Sequence, residues 1–138
     1  WNFKADCAFP CATQNEIGVI DARNLVNNGV RLVAEGANMP TVAQAVHLLQ
    51  EHGVLFAPSK AANAGGVAVS ALEMAQNSAR IQWTSETVDL QLQKIMKGIY
   101  ASASAAAERY SEKGNLVDGA NIAGFLKVAH AMIDQGYV

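Results

Sequence analysis

Val54-Leu-Phe-Ala-Pro-Ser-Lys-Ala-Ala-Asn-Ala-Gly-Gly-Val-Ala-Val-Ser70 decides the fold. The apolar run Val54 to Ala57 reads as a buried strand that stops at Pro58. Small residues and the pair Gly65-Gly66 follow, and a helical pattern starts near Val67. In open α/β sheets ligands bind beside such loops, at the carboxyl ends of strands and the amino ends of helices. Two glycines there let backbone approach a ligand with no Cβ between. The same spacing also suits a plain packing turn, and residue chemistry alone leaves both readings open.

Working outward, the pattern repeats. Upstream, Asp6 to Pro10 reads as a short strand, followed by the loop Cys11-Ala-Thr-Gln-Asn-Glu16. Asn15 or a neighbour is expected to cap a helix over Val19 to Val26, closed by Asn28-Gly29. Val30 to Glu35 is the next strand, Gly36-Ala-Asn38 its loop, and Met39-Pro-Thr41 is expected to open a helix through Leu49. Three such units imply parallel strands joined by right-handed crossovers.

Downstream the pattern is helical throughout. Val67, Ala71, Met74, Ala75 and Ser78 fall on one face, read as a packing face. Thr84-Ser-Glu86 starts a helix with the apolar stripe Val88, Leu92, Ile95, Met96 and Ile99. Gly114-Asn115 breaks it. Asp118 to Asn121 is expected to start the last helix, with Ile122, Phe125, Leu126, Ala129, Met132 and Ile133 at helical spacing and Gly136 as its C-cap. The expected fold is α/β: the second half of a Rossmann-like doubly wound parallel sheet, βαβαβ, followed by three C-terminal helices.

Composition narrows the function classes. The 138 residues are 51% hydrophobic and 16% charged, a balance that suits a chain with part of its surface covered. A net charge of -2 with no basic run argues against nucleic acid. No apolar run approaches the roughly 20 residues of a membrane helix, and no signal peptide opens the chain, so a cytoplasmic protein is expected. Cys7 and Cys11 lack the further ligands of a zinc site and read as small buried hydrophobes. His47, His52 and His130 have no ligand spacing, and no metal is expected. Missing too is a G-x-G-x-x-G fingerprint with its downstream acid.

The loops together resemble those of the amino-acid dehydrogenases, specifically the hexameric bacterial-type glutamate dehydrogenases. The matching segments are Pro10-Cys-Ala-Thr-Gln-Asn-Glu16, Ala34-Glu-Gly-Ala-Asn-Met-Pro-Thr41, Phe56 to Ser70, Leu72-Glu-Met-Ala-Gln-Asn77 and Gly119-Ala-Asn-Ile-Ala-Gly-Phe125. They run in family order along nearly the whole chain, which corresponds to roughly the last third of the family polypeptide. The resemblance implies reversible oxidative deamination of L-glutamate to 2-oxoglutarate and ammonia, with NAD or NADP as cofactor. It places Ala12, Thr13 and Gln14 by the cofactor's ribose and diphosphate, Asn38 by the nicotinamide ribose and Asn63 on the nicotinamide carboxamide. Val67 would pack on the substrate's methylenes and Ser70 would hydrogen-bond its side-chain carboxylate.

By the same resemblance, residues 1–82 are the second half of the cofactor domain. Residues 83–138 are helices packing on it and toward a substrate domain. The family's catalytic lysines and aspartate lie in that domain and are not in this chain, so no catalytic residue is assigned here. The chain alone is expected to be inactive and prone to self-association, and the full-length protein to be a homo-hexamer.

Each role has a structural counterpart. An Asn before Gly-Gly stabilises turns, a helix serine bonds its own backbone, and Asn38 suits a helix cap. Lys60 reads as an exposed loop lysine. A leucine- or phenylalanine-type dehydrogenase is the nearest alternative, which Ser70 disfavours because an apolar pocket needs no polar partner. A non-catalytic nucleotide-binding α/β module is the other.

Overall fold

The computed structural model describes residues 1–136. Three parallel strands, β1 (Cys7–Ala8), β2 (Leu32–Ala34) and β3 (Leu55–Ala57), form one sheet in the order β1-β2-β3. Helix α1 (Val19–Asn27) joins the first pair and α2 (Ala43–Glu51) the second. Four helical segments follow: the single turn α3 (Ser59–Ala62), then α4 (Ala64–Ala79), α5 (Ser85–Tyr110) and α6 (Leu116–Gln135). The expected α/β order is present, with α3 as an addition.

Strand alternation builds the core. Register sets Ala8, Val33 and Phe56 in one row, all buried, and they cluster with Ala22, Leu25, Ala45 and Leu49 of α1 and α2. The neighbouring row, Cys7, Leu32 and Leu55, belongs to the opposite face, and Leu55 there is 61% exposed. Both cysteines are exposed, which corrects their reading as buried hydrophobes. Cys7 sits on the sheet face that α1 and α2 do not cover.

Helix starts differ from expectation in instructive ways. The α1 N-cap is Gly18, whose N–H donates to Asp21 at 2.9 Å; Asn15 instead stands three residues upstream with φ at +59°. Pro40 does not open α2, which begins at Ala43 behind Val42, because Thr41 is drawn into a parallel bridge with Ile17. Gly65 and Gly66 are not in a loop but in the first turn of α4. Thr84 caps α5 as expected, accepting from the Thr87 N–H at 3.3 Å, whereas Asn115, not Asp118, caps α6.

The packing faces also needed correction. On α4, Val67 and Met74 are 71% and 64% exposed, and the half-buried positions are Ala64, Gly65, Ala68, Val69, Leu72 and Gln76. The small residues on both sides made the wrong stripe look like the contact. The α5 stripe is half-buried throughout, as expected, and continues into the buried Ala103, Ala106 and Ala107 against α6. Phe125, Met132 and Ile133 of α6 are exposed rather than packed. By length and composition α6 would also suffice to cross a membrane, which corrects the expectation that no segment approaches that size.

Candidate functional site

Parallel strands place three loops together at the carboxyl end of the sheet. Residues 9–18 follow β1, residues 35–42 follow β2 and residues 58–63 follow β3. These loops contain every expected cofactor residue.

Backbone bonds zip the first loop to the second. The N–H groups of Gly36 and Ala37 both donate to the Pro10 carbonyl, at 3.0 and 2.9 Å. Asn15 N–H donates to the Met39 carbonyl at 3.0 Å, Ile17 N–H to Pro40 at 2.9 Å and Val42 N–H to Ile17 at 3.1 Å. Asn15 and Met39 both have left-handed backbones, φ +59° and +52°, a conformation that asparagine tolerates and methionine rarely accepts. Strain of this kind gathers at ligand sites, where surrounding bonds hold it in place.

Within the first loop, Glu16 holds the turn. Its Oε2 accepts from the N–H groups of Ala12 and Thr13 at 2.9 and 2.8 Å. The side chains of Thr13 and Gln14 are exposed above that turn.

The second and third loops are tied by side chains. Asn63 Nδ2 donates to the Ala37 carbonyl at 3.1 Å, and Met39 N–H to Ser59 Oγ at 3.4 Å. The buried Glu35 accepts from the N–H groups of Thr41 and Ser59, at 3.2 and 2.7 Å. Asn38 is exposed beside this junction and caps no helix, since α2 starts five residues on. Asn63 and Asn38 are therefore brought onto adjacent, cross-tied loops. With one amide hydrogen on Ala37, Asn63 retains its carbonyl oxygen and a second N–H, the acceptor and donor that a primary carboxamide requires.

Helix α4 carries the rest. Its N-terminus follows Asn63 with no side-chain cap, so partial positive charge is directed at the loops. A Cβ at Gly65 would come into ordinary contact with Leu92 of α5 at 3.4 Å, whereas one at Gly66 would meet nothing within 4 Å. Val67 and Ser70 share the exposed stripe of α4 with Met74. Ser70 Oγ donates to the Gly66 carbonyl at 3.2 Å, the ordinary helix back-bond. Lys60 is exposed on α3 and bonds Asn121 of α6.

Sequence reasoning missed Glu16, Glu35 and Ser59. A signal existed for Glu35, a carboxylate directly after the apolar run Leu32–Ala34, where a buried acid needs dedicated donors. Among the described residues no group of three or more His, Cys, Asp or Glu is arranged to hold a metal.

The comparisons with known proteins agree with one another. A family model described as Glutamate/Leucine/Phenylalanine/Valine dehydrogenase matches residues 1–136. The chain is 57% identical over 139 residues to an NADP-specific glutamate dehydrogenase of Escherichia coli (strain K12), covering all of this chain and 31% of the relative. It is 56% identical over 133 residues to that of Giardia intestinalis, covering 96% and 30%. The solved structure of Plasmodium falciparum glutamate dehydrogenase 2 superposes with a TM-score of 0.94 at 54% identity, over 99% of this chain and 30% of that one. The chain thus spans about 30% of the length of these relatives.

Proposed function

The chain belongs to the glutamate/leucine/phenylalanine/valine dehydrogenase family, and from that premise we propose that it is the nicotinamide-side portion of a glutamate dehydrogenase. The observation that carries this reading is the cross-tied pair of loops bearing Asn38 and Asn63, followed directly by the open face of α4. In the full-length protein the reaction is reversible NADP- or NAD-dependent deamination of L-glutamate to 2-oxoglutarate and ammonia. NADP is the cofactor in the names of the two relatives above. Residues 1–82 supply one half of the cofactor domain, residues 83–138 pack on it, and the full-length protein assembles as a homo-hexamer.

A nicotinamide cofactor would supply the hydride acceptor or donor, and the residues here would orient it. Asn63 offers its free carbonyl oxygen and N–H to the carboxamide, which fixes the face of the ring turned toward the substrate. Asn38 bonds the adjoining ribose. Ala12 and Thr13, held by Glu16, and Gln14 beside them line the ribose and diphosphate. Gly66 leaves room for a ring where any side chain would project.

Val67 meets the substrate's methylenes. To bind the side-chain carboxylate as a donor, Ser70 turns its hydroxyl away from Gly66, exchanging a back-bond for a charge-assisted one. A leucine- or phenylalanine-type substrate would leave that hydroxyl without use. The groups that move protons at the α-carbon lie, on this reading, outside these 138 residues.

Glutamate-dependent NADP reduction tests the reading. The 138-residue chain is expected to show none. A full-length protein carrying it is expected to turn over and, as Ser70→Ala, to lose glutamate affinity with cofactor affinity retained. Turnover by the chain alone, or an S70A enzyme with unchanged glutamate KM, would overturn the assignment.

A further inference from the structure

We propose that Glu35 is a positioning residue that sets the placement of Asn63 relative to Asn38; this rests on the reading of those two asparagines as cofactor contacts. Glu35 ends β2's apolar run, is 4% exposed, and has neither a lysine nor an arginine among its hydrogen-bond partners. Its two oxygens are divided between two loops. Oε1 accepts from Thr41, at the far end of the loop that bears Asn38, and Oε2 from Ser59, the first residue of α3. Ser59 Oγ in turn accepts from Met39, next to Asn38, and Asn63 closes α3 and bonds Ala37. One buried side chain thereby fixes both ends of the frame on which the asparagines are mounted. Only a group with two acceptor oxygens satisfies both N–H groups at this reach.

Glu35→Gln isolates that role. Glutamine keeps the volume and one acceptor but sets an NH2 group against one of the two buried N–H donors. Amide exchange and side-chain NMR of the 138-residue chain, without nucleotide, read the outcome. The Ser59 or Thr41 amide of E35Q is expected to lose roughly tenfold or more of its protection. The Asn63 side-chain signals are expected to move toward those of exposed asparagines, with those of Asn115, at the α6 cap, unchanged. Leu49→Ala serves as the comparison, because Leu49 is fully buried under the same sheet and its loss lowers stability globally. It is expected to leave the Asn63 signals in place.

E35Q spectra unchanged at Ser59, Thr41 and Asn63, or altered only in step with every other amide as in L49A, would overturn the proposal. Should E35Q fail to fold, Glu35→Asp, with two acceptors but one methylene less reach, carries the same expectation and the same contrary result. No nucleotide is present in these measurements, so failure here and failure of the cofactor reading are told apart.

Discussion

The side-chain amide of Asn63 donates to the main-chain carbonyl of Ala37 at 3.1 Å, across 26 residues of sequence. This bond joins the loop after β3 to the loop after β2 and leaves the other half of the amide free. Asn63→Asp keeps the shape but sets a carboxylate oxygen against the carbonyl. A loss of about 1–3 kcal/mol is expected from the repelled, half-buried pair, measured as a shift in urea midpoint.

Gly66 separates folding from binding. A Cβ there meets no atom of the protein within 4 Å, and its backbone is ordinary helix. Gly66→Ala is therefore expected to stabilise the chain by about 0.5–1 kcal/mol through helix propensity. In a full-length enzyme it is expected to weaken cofactor binding, because the methyl group projects where the ring would lie. A variant that is more stable and binds cofactor unchanged would count against a ring at this position.

Gly119 has the opposite logic. A Cβ there would overlap the Ala103 carbonyl and lie 3.0 Å from the Ala107 Cβ, at the crossing of α5 and α6. The roughly 1 kcal/mol gained in helix propensity is outweighed, because the obstacle is backbone and cannot rotate aside. Gly119→Ala is expected to destabilise by about 2 kcal/mol or more, seen as a lower thermal midpoint.

Glu86 sets a response to acid at the start of α5. Bonding to its own backbone, then to Thr84 and Ser85, holds its carboxyl below the ordinary carboxylate range. A lowered folded-state value means the stabilisation is present above the unfolded value and lost as pH falls through the folded one. Amide protection at Thr87 is expected to fall on acidification below the ordinary glutamate range, and Glu86→Gln is expected to abolish that step.

The isolated chain is expected to self-associate. Leu55 on the uncovered sheet face, Val67 and Met74 on α4, and Phe125, Met132 and Ile133 on α6 are all more than half exposed. Sedimentation that depends on concentration in the micromolar range would bear this out; a monomer throughout would not.

How legible these features are in sequence follows from their physics. Strand positions and helix stripes rest on period, so Val33, Phe56 and the Val88 to Ile99 stripe read correctly. On α4 the period was present on two faces, and nothing in residue size tells Val67 from Val69. Helix starts failed where tertiary bonds compete with capping: the Ile17–Thr41 bridge draws residue 41 out of α2 although Pro40 suits a first turn. The candidate binding residues were legible only as a set of motifs. Their mutual arrangement was not, because Glu35, Ser59 and Met39 act across loops that no local pattern connects.

Titration of the isotope-labelled 138-residue chain with NADPH, followed by amide and side-chain NMR, tests the central claim most directly. Saturable shifts are expected that are confined to Ala12–Gln14, Asn38, Asn63 and the first turn of α4, with α6 unmoved. Shifts absent at millimolar nucleotide, or gathered elsewhere on the chain, would contradict it.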